Sequence, residues 1–353
     1  MFKVGIIIVN YKDYAQRFLA DCRDSLRAQN YPREDVKFYV VDNVSSAESA
    51  AYLRENFSEA KIIPRPDGNY AAANNAGIAA ARADGAEVFV IANMDMVFEP
   101  DWLKELIAAL DSGEKIGIAQ SKILLYSADG KTKKINTLGN AINFLGFGFT
   151  TGYKENDREI SGLPEIKGYA SGGSCAIKQE VLDKIGGYNE EYYMYHDDLE
   201  IGWKTKIAGY KIVLAPKSVC YHKYEFSRSI KMVYYMERNR LLAVFSFYEF
   251  TSILAIIPAL IFMELGQLFF ALIKGWLTEK LKADDYFLRA PNWDKIMAAR
   301  KKVKIFRVKK DRDIVDDFAG EILFQEIDNP VLKYFANPFF KRYWDLAKKV
   351  IKG

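Results

Sequence analysis

The stretch that decides the fold is VFVIANMDM, residues Val88 to Met96. It opens with five apolar or small residues rich in β-branched side chains, which is typical of a strand buried on both faces of a parallel sheet. The run then stops on Asn93, Met94 and Asp95. Open α/β sheets bind ligands beyond the carboxyl ends of their strands, and a carboxylate at Asp95 could hold a divalent cation and, through it, a diphosphate. Because Asp is also a common turn residue, this stretch alone leaves a metal site and a simple turn equally open.

Around this strand the chain alternates strands and helices at the spacing of βαβ units, which predicts a parallel sheet. Buried strands are predicted at residues 4–10 and 36–42, and helices at residues 14–28, 47–56, 70–83 and 101–110. The second strand also ends on an acid, Asp42, which is followed by Asn43 and Ser45, and the third helix is entered through Asn69. Asp42, Asn69 and Asp95 should therefore share one rim of the sheet, where nucleotide sites form in this class of fold.

Composition narrows the class of protein. At 353 residues, with 50% hydrophobic and 27% charged residues, the chain is long enough for one large folded domain with an appendage, or for two domains. A net charge of +4 is too small to indicate nucleic-acid binding. Three cysteines without paired spacing (Cys22, Cys175 and Cys220) favour neither a disulfide framework nor a zinc site, which predicts a reducing, cytosolic setting.

An acidic cluster in the second half of the chain is a further candidate site. Asp197, Asp198 and Glu200 stand around the start of an amphipathic helix predicted at residues 199–208. Acids at that position complement the helix dipole, which is a purely structural explanation. Among the neighbouring tyrosines, however, a carboxylate could gain a raised pKa and act as a base.

A lone histidine, His222, follows the strand predicted at residues 211–219. A single histidine is more often structural than a ligand. The loop that follows it carries Lys223, Arg228 and Ser229, which are hydrogen-bond donors that suit an anionic group.

These residues together resemble the family-2 inverting glycosyltransferases of the GT-A fold, in particular their rhamnosyltransferase-like branch. The resemblance runs from about residue 4 to residue 240. Its carriers, in chain order, are VVDNVSS, GNYAAANNAG, NMD, GGSCAIKQEVLDKIGGYNEEYYMYHDDLEIGWK, His222 and Arg238-Asn239-Arg240. It implies an α/β fold with a mostly parallel, Rossmann-like sheet flanked by helices.

The resemblance implies donor-binding roles for the residues of the first rim. Asp42 would bind the base of a nucleotide-diphosphate sugar, with Asn43 and Ser45 shaping the loop around it. Asn69 and Asn74 would help to hold the nucleotide or its sugar.

It also implies the catalytic and metal-binding residues. Asp95 would be the last acid of a metal motif and His222 would assist the cation, Mg²⁺ or Mn²⁺. Asn93 stands where that motif usually has its first acid, and we count it among the donor-binding residues. Asp198 would be the catalytic base and Asp197 its neighbour, in place of the usual Glu-Asp pair.

The reaction so implied transfers a sugar from a dTDP-, UDP- or GDP-linked donor to a hydroxyl of a glycan. The base removes the hydroxyl proton, and one direct displacement inverts the anomeric carbon. A nucleotidyltransferase is the main alternative, but it would carry a glycine-rich loop after the first strand, where this chain has NYKDY at residues 10–14. A processive synthase would need a Gln-x-x-Arg-Trp motif, which the sequence does not contain. A non-catalytic, membrane-attached carbohydrate-binding protein stays open as a third alternative.

The C-terminal third contains a strongly apolar stretch at residues 241–277. It exceeds the roughly 20 apolar residues that cross a bilayer. Glu249, Glu264 and Gln267 interrupt it, and Pro258 should kink it, so a simple span would carry costly polar groups. A transmembrane helix, a pair of helices lying in one leaflet, and helices packed on the catalytic domain are the three alternatives, of which we favour the second.

Charge supports a membrane setting. Between Arg300 and Arg312 there are eight Lys or Arg residues against one acid, a pattern that attracts anionic leaflets but also occurs on solvated protein faces. Residues 330–352 mix aromatic residues with lysines, as interface-seeking segments do.

We therefore predict a GT-A catalytic domain at 1–230, with a nucleotide-binding half at 1–112 and an acceptor half at 113–230. A hydrophobic helical segment at 231–280 and a basic, aromatic tail at 281–353 should follow it. The expected location is the cytoplasmic face of the cell membrane, and the expected partners are the sugar donor, a glycan or polyprenyl-linked acceptor and membrane lipid.

Overall fold

The structure is a computed structural model that describes residues 2–127, 129–224, 230–323 and 330–353, with residues 230 and 231 described by their backbone alone. The described residues form two compact units. The α/β unit comprises those of Met1–Asn140, Thr150–Thr205 and Tyr210–Glu225. The helical unit comprises those of Ala141–Phe149, Lys206–Gly209 and Phe226–Gly353.

The first half of the α/β unit is a parallel sheet with helices between its strands. The strands are β1 (Val4–Tyr11), β2 (Val36–Asn43), β3 (Ala60–Arg65) and β4 (Val88–Asn93). The helices are α1 (Tyr14–Arg27), α2 (Ala47–Asn56), α3 (Tyr70–Ala83) and α4 (Trp102–Asp111). β1 lies between β2 and β4, and β3 pairs with β2, all in parallel. The carboxyl ends of these strands therefore lie on one rim, as the sequence predicts.

The second half of the sheet is mixed. Its strands are β5 (Met96–Phe98), β6 (Ile116–Ser127), β7 (Gly130–Thr137), β10 (Ser174–Lys178) and β11 (Lys211–His222). Two further strands, β8 (Asn140–Ile142) and β9 (Gly148–Thr150), form a separate hairpin. β10 runs antiparallel between β4 and β6, while β11 is parallel to β6 and antiparallel to β5. The α/β fold class is confirmed, but the parallel arrangement is confined to the first four strands and the β6–β11 pair.

Close packing fixes the rim. Val40 of β2 and Val90 of β4, the strands on either side of β1, are fully buried, and so is Trp102 of α4. Each such side chain contributes about 1.5–3 kcal/mol through burial. Helix α3 lies so close to β1 that a Cβ atom on Gly77 would overlap the side chain of Ile7. The start of α3 is thereby held against the carboxyl ends of the strands.

Five helices make up most of the helical unit. They are α7 (Ile230–Phe247), α8 (Phe250–Lys274), α9 (Leu277–Leu288), α10 (Ala290–Phe306) and α11 (Asn337–Lys352). Two helices earlier in the chain complete the numbering, α5 (Gln179–Ile185) and α6 (Asp197–Ile207). The hairpin turn at 141–149 belongs to the core of this unit. Phe144, which is fully buried, stacks on Trp344 with ring centroids 4.8 Å apart, and its carbonyl accepts a hydrogen bond from the Tyr248 hydroxyl at 3.0 Å.

The apolar stretch at 241–277 is two helices. α7 ends at Phe247, α8 begins at Phe250 and continues through Pro258, and Glu249 lies at the junction. The Glu249 carboxylate accepts a hydrogen bond from the backbone N–H of Asp311 at 2.9 Å. Among the described residues, α8 is the one helix long and apolar enough to cross a membrane.

The polar residues inside α8 are paired with neighbouring helices. Arg240 of α7 donates hydrogen bonds to Glu264 and, at 3.1 Å, to Gln267. Lys280 of α9 also pairs with Glu264, and the side chains of both cations are fully buried. The interruptions of the apolar stretch therefore mark the side of α8 that faces protein, where paired charges are tolerated.

Two of the eight cations between Arg300 and Arg312 are structural. Arg300 donates to the carbonyls of Phe245 and Tyr248, at the C-terminal end of α7. Arg307 pairs with Asp311 at 3.0 Å. Cations commonly satisfy the last carbonyls of a helix in this way, so the charge run is partly a helix cap.

Candidate active site

Asp42 lies at the carboxyl end of β2 in a closed hydrogen-bond cluster. Its Oδ1 accepts from Nδ2 of Asn10 at 2.7 Å, and its Oδ2 accepts from the hydroxyls of Ser45 and Ser49, each at 2.7 Å. The residue is fully buried. These donors offset the cost of burying a carboxylate, and they fix the loop that follows β2. The assignment of Asp42 to the donor's base stays a prediction.

Asn10 and Ser49 do not stand out in the sequence. Asn10 is paired in register with Asp42, and its Oδ1 accepts from the N–H of Ala15 at 2.9 Å. The rule that led to Asp42, a polar residue at the carboxyl end of a buried strand, also finds Asn10. Ser49 reads as a capping residue, since its hydroxyl accepts from the N–H of Ser46 at 2.9 Å, and no local signal shows that it also reaches Asp42.

The asparagines of the donor rim are held in two different ways. Asn69 caps α3, because its Oδ1 accepts from the N–H of Ala72 at 3.0 Å while its Nδ2 donates to the Glu190 carbonyl at 2.9 Å. Asn43 and Asn74 are buried, and the Oδ1 atom of each receives no hydrogen bond from the described part of the chain. Asn69 therefore has a structural role here, and donor binding by all three stays a prediction.

Asp95 and His222 meet just beyond the end of β4. Nε2 of His222 lies 3.2 Å from Asp95 Oδ2, and Nδ1 of His222 lies 3.1 Å from Asn136 Oδ1. Asp95 Oδ1 is buried and receives no hydrogen bond from the described residues. Nearby, Asn93 accepts a hydrogen bond from the Tyr70 hydroxyl at 3.0 Å.

This pair fits a divalent cation. An unbonded, buried carboxylate oxygen is costly, and a cation between Asp95 and His222 would satisfy it. Across the described ranges no three His, Cys, Asp or Glu side chains gather around one point. Lys223 holds the segment by donating its N–H to the Asp95 carbonyl at 2.9 Å, whereas Arg228 and Ser229 lie outside the described residues.

The acid pair lies in the first turn of α6, which begins at Asp197 rather than two residues later as predicted. Asp198 Oδ1 accepts from the N–H of Leu199 at 2.8 Å, and its Oδ2 faces the N–H of Gly172 at 3.5 Å. Asp197 is buried and Asp198 is half-buried. Both carboxylates thus lie at the positive end of the helix dipole.

Burial raises the pKa of both carboxyl groups. Desolvation, followed by the negative charge of Asp198, raises the pKa of Asp197 to about 8. Desolvation by apolar neighbours such as Ile118 and Ile201 raises the pKa of Asp198 to about 6, against the effect of the N–H groups of Leu199 and Gly172. The two groups titrate as a pair. Near neutral pH the pair therefore carries one proton and one charge, and Asp198, the less buried of the two, is placed to act as a base.

Strained backbone precedes the pair. Tyr193, Tyr195 and His196 have positive φ angles of 63°, 64° and 62°. Tyr193 is the centre of a γ-turn of the rarer, strained kind, because the N–H of Met194 donates to the Tyr192 carbonyl at 2.7 Å. The carbonyl of Tyr193 in turn accepts from the first N–H groups of α3, at 2.8 and 3.2 Å. This turn connects the acid pair to the helix that borders the donor rim.

Glu200, the third acid of the cluster, is structural. It is 2% exposed and pairs with Lys204 one turn later at 2.6 Å. Lys204 also donates to the carbonyl of Gly187 at 2.7 Å. Within the described part of the chain, the cluster therefore divides into one acid with an ion-pair partner, Glu200, and two acids without one, Asp197 and Asp198.

Asp95 and Asp198 share one rim. The N–H of Asn93 donates to the Gly173 carbonyl at 3.0 Å, and the adjacent Gly172 faces Asp198. Burial and then the negative charges of Asp197, Asp198 and Asp95 raise the pKa of Tyr70, whose hydroxyl donates to Asn93. Carboxylates from distant parts of the chain are thus brought to one edge of the sheet.

Comparison with known proteins identifies the class. The structure of GalNAc-T7 with UDP, GalNAc and Mn²⁺ superimposes with a TM-score of 0.54 at 15% sequence identity, covering 84% of this chain and 58% of that one. The fold is thus that of a GT-A glycosyltransferase. The sequence model of glycosyl transferase family 2 matches residues 5–186, just over half of the chain. The chain belongs to glycosyl transferase family 2 and is a transferase.

Three curated relatives share parts of the sequence. An uncharacterized protein, y4gI, of Sinorhizobium fredii is 29% identical over 164 residues, which are 45% of this chain. The O-antigen biosynthesis protein RfbC of Myxococcus xanthus is 28% identical over 233 residues, or 63%. The N-acetylglucosaminyl-diphospho-decaprenol L-rhamnosyltransferase of Mycobacterium tuberculosis is 32% identical over 76 residues, or 21%. The matched regions span 17%, 17% and 24% of these relatives' own lengths.

Proposed function

We propose that this chain is an inverting glycosyltransferase that moves a sugar from a dTDP-, UDP- or GDP-linked donor to a hydroxyl of a lipid-linked glycan. The observation that carries the proposal is that a candidate cation site and a pair of carboxyl groups lie on the same rim of the sheet. Asp95 and His222 are placed to hold a cation, while Asp198 belongs to a carboxyl pair whose raised pKa values leave it one proton and one charge near neutral pH. The family membership supports sugar transfer in general, and the rim supports this mechanism.

In the proposed mechanism Asp198 acts on the acceptor. Its carboxylate accepts the proton of the acceptor hydroxyl as that oxygen attacks the anomeric carbon of the donor. The bond from the anomeric carbon to the diphosphate oxygen breaks on the opposite face, and the nucleoside diphosphate leaves with the bonding electrons. One displacement inverts the carbon, and the chain needs no covalent nucleophile.

Asp95 and His222 would hold the divalent cation, Mg²⁺ or Mn²⁺. When bound, the cation neutralises the charge that develops on the leaving diphosphate. Asn93 stays outside this set because its side-chain oxygen, Oδ1, accepts a hydrogen bond from the Tyr70 hydroxyl.

The lipid-linked acceptor and the cytoplasmic face of the membrane are the finer parts of the proposal. The name of the Mycobacterium relative, which includes a diphospho-decaprenol, puts polyprenyl-diphosphate sugars first among the acceptors to test. The apolar α8 and the basic, aromatic C-terminal segment support a membrane setting.

A donor screen tests the proposal. Nucleotide sugars are added to the full-length protein with and without Mn²⁺ or Mg²⁺, and thermal shift and release of the nucleoside diphosphate are followed. We expect one donor to raise the melting temperature only with the cation, and to release its nucleotide faster when an acceptor is present. A protein that binds none of these donors, or that binds them equally well after Asp95→Ala, would overturn the proposal.

A further inference from the structure

The outer side of α8 is a continuous apolar stripe. Its eight large side chains are 51–68% exposed, and they are Phe250, Leu254, Ile261, Phe262, Leu265, Phe269, Leu272 and Ile273. From Phe250 to Ile273 the one charged residue is Glu264, which is turned inward to Arg240 and Lys280. So long an apolar stripe is unusual on a surface that faces water.

The C-terminal segment extends this stripe. Tyr334, Phe335, Phe339, Leu346 and Val350 are 42–75% exposed, and from Phe335 onward they recur at spacings that put them on one side of a helix. The opposite side of α11 is buried through Phe340, Trp344 and Ala347.

The two helices are packed side by side within the helical unit. Phe262 lies 4.8 Å from Phe339 between ring centroids, and the hydroxyl of Tyr343 donates to the carbonyl of Ala255 at 2.8 Å. The exposed residues of α8 and of the C-terminal segment therefore form one surface, which we call the apolar face.

Cations accompany the apolar face. Residues 331–353 contain six Lys or Arg and one acid, Asp345. Lys333, Arg342 and Lys349 are exposed and form no ion pair with the described residues. Apolar side chains beside cations match the boundary between acyl chains and anionic headgroups. A second copy of this chain would instead bring the same cations against each other, which disfavours self-association.

The pairing of Glu264 decides between a span and an in-plane helix. A spanning helix is surrounded by lipid unless other spans cover it, yet one side of α8 is bound to α7 and α9 through Arg240 and Lys280. These helices carry many charged residues and do not qualify as spans among the described residues. α8 is thus suited to lie along the membrane surface with its outer side in lipid.

We propose that the apolar face of α8 and α11 inserts in-plane into one leaflet of an anionic bilayer. This inference extends the membrane location given under the proposed function, and its biological meaning rests on that proposal. The apolar face would hold the helical unit at the depth where the sugar of a lipid-linked acceptor meets water.

Vesicle flotation tests the surface. Full-length protein is mixed with vesicles of phosphatidylcholine alone or with about 30% phosphatidylglycerol, without any sugar donor. We expect flotation with the anionic vesicles and a loss of at least about tenfold in the bound fraction for the double variant Leu265→Lys, Phe269→Lys, because two large apolar side chains leave the lipid. Leu163→Lys, which changes an exposed leucine of the α/β unit, is the matched control and should float like the wild type.

Cysteine labelling tests the orientation. The natural cysteines are buried, so Phe250→Cys and Lys274→Cys report the two ends of α8 to an impermeant maleimide. In-plane insertion predicts that both ends are labelled from the same side of a vesicle. Labelling from opposite sides would show a span. The proposal would also be overturned if the double variant floated as well as the wild type. It would equally be overturned if the wild type did not float but formed a dimer in solution that the double variant dissociates.

The same experiments separate this surface from the proposed reaction. Sugar transfer to a water-soluble acceptor is measured on the same samples. A protein that floats but transfers no sugar counts against the proposed reaction and leaves the apolar face intact. A double variant that keeps transfer and loses flotation supports the face alone.

A separate observation concerns Asn136, which is 7% exposed at the end of β7. Its Oδ1 lies 3.1 Å from His222 Nδ1, and an amide oxygen can only accept a hydrogen bond. Nδ1 therefore donates to Asn136, and Nε2 is the ring nitrogen directed at Asp95, 3.2 Å away. With Nδ1 engaged by Asn136, Nε2 is the ring nitrogen that a cation beside Asp95 would use.

We infer that Asn136 is a positioning residue that fixes the metal-binding tautomer of His222, on the condition that the proposed cation site is correct. Manganese binding to the full-length protein, followed by electron paramagnetic resonance without any donor, tests it. Asn136→Ala should weaken Mn²⁺ binding about 10–100-fold, as loss of such a partner generally does, whereas Asn136→Asp should restore it. Equal weakening by both variants, or none by Asn136→Ala, would refute the inference. Unchanged binding by Asp95→Ala would instead count against the cation site itself.

Discussion

Replacing Asp198 by asparagine removes one charge from the rim and leaves the size of the side chain almost unchanged. The amide oxygen can still accept the N–H of Leu199, which Asp198 binds at 2.8 Å, and the contact that is lost, to Gly172 at 3.5 Å, is weak. Because burial raises the pKa of Asp198, removing its charge also relieves a desolvation cost. The variant should therefore fold with an unchanged or higher melting temperature.

Its turnover should fall sharply. General-base assistance is worth about 10²–10⁴-fold, which corresponds to about 2.7–5.4 kcal/mol of activation free energy. The assay is release of nucleoside diphosphate at saturating acceptor, with donor binding followed in parallel by thermal shift. Donor affinity should change little, since Asp198 faces the acceptor.

Asp197→Asn is the matched control. Because burial raises the pKa of both acids, the pair carries about one charge near neutral pH; an amide at position 197 leaves that charge to Asp198, and turnover should fall by less than about tenfold. If Asp198→Asn kept more than a tenth of the wild-type turnover, or if Asp197→Asn were the more damaged variant, the assignment of the base would be wrong.

Three further results are expected. Turnover should fall as the pH is lowered through about 6, because protonation of Asp198 removes the base, and a profile flat down to pH 5 would contradict this. Asp95→Ala should abolish the effect of Mn²⁺ on donor binding in thermal shift while leaving the cation-free melting temperature near that of the wild type, since within the described chain Asp95 Oδ1 makes no hydrogen bond and Oδ2 loses one long contact, to His222 Nε2 at 3.2 Å. Asn10→Ala should lower the free energy of unfolding by about 2–4 kcal/mol in urea titrations, because Asp42 Oδ1 and the N–H of Ala15 both lose a partner, and a change below about 1 kcal/mol would show that water replaces it.

Local patterns in the sequence predict the first half of the fold well. Runs of β-branched residues mark the buried strands, and a polar residue at the end of each run marks the rim. This reasoning finds Asp42 and Asp95 because strand period and the geometry of parallel sheets suffice for it. It does not find Ser49, a partner of Asp42, because Ser49 reaches Asp42 from a helix whose own capping pattern already explains the serine.

Non-local pairing limits the prediction of the second half. β10 enters the sheet antiparallel between β4 and β6, and nothing in its five residues specifies that place. The sequence does not predict the positive φ of Tyr193 either, because tyrosine has no preference for that conformation. Glu264 looks like a defect in an apolar helix until Arg240 and Lys280 are seen beside it.

The hairpin turn at residues 141–149 has a consequence for anyone who wishes to shorten this chain. Phe144 precedes the apolar helices in sequence by about a hundred residues, yet it is covered by Tyr248 and Trp344. A fragment that ends near residue 230 would keep Phe144 but lose Tyr248 and Trp344. The aromatic side chain of Phe144 would then be exposed to water, and the fragment should aggregate. A soluble form is better sought by substituting lysines on the outer side of α8, which leaves the stack of Phe144 on Trp344 intact, than by deleting the C-terminal third.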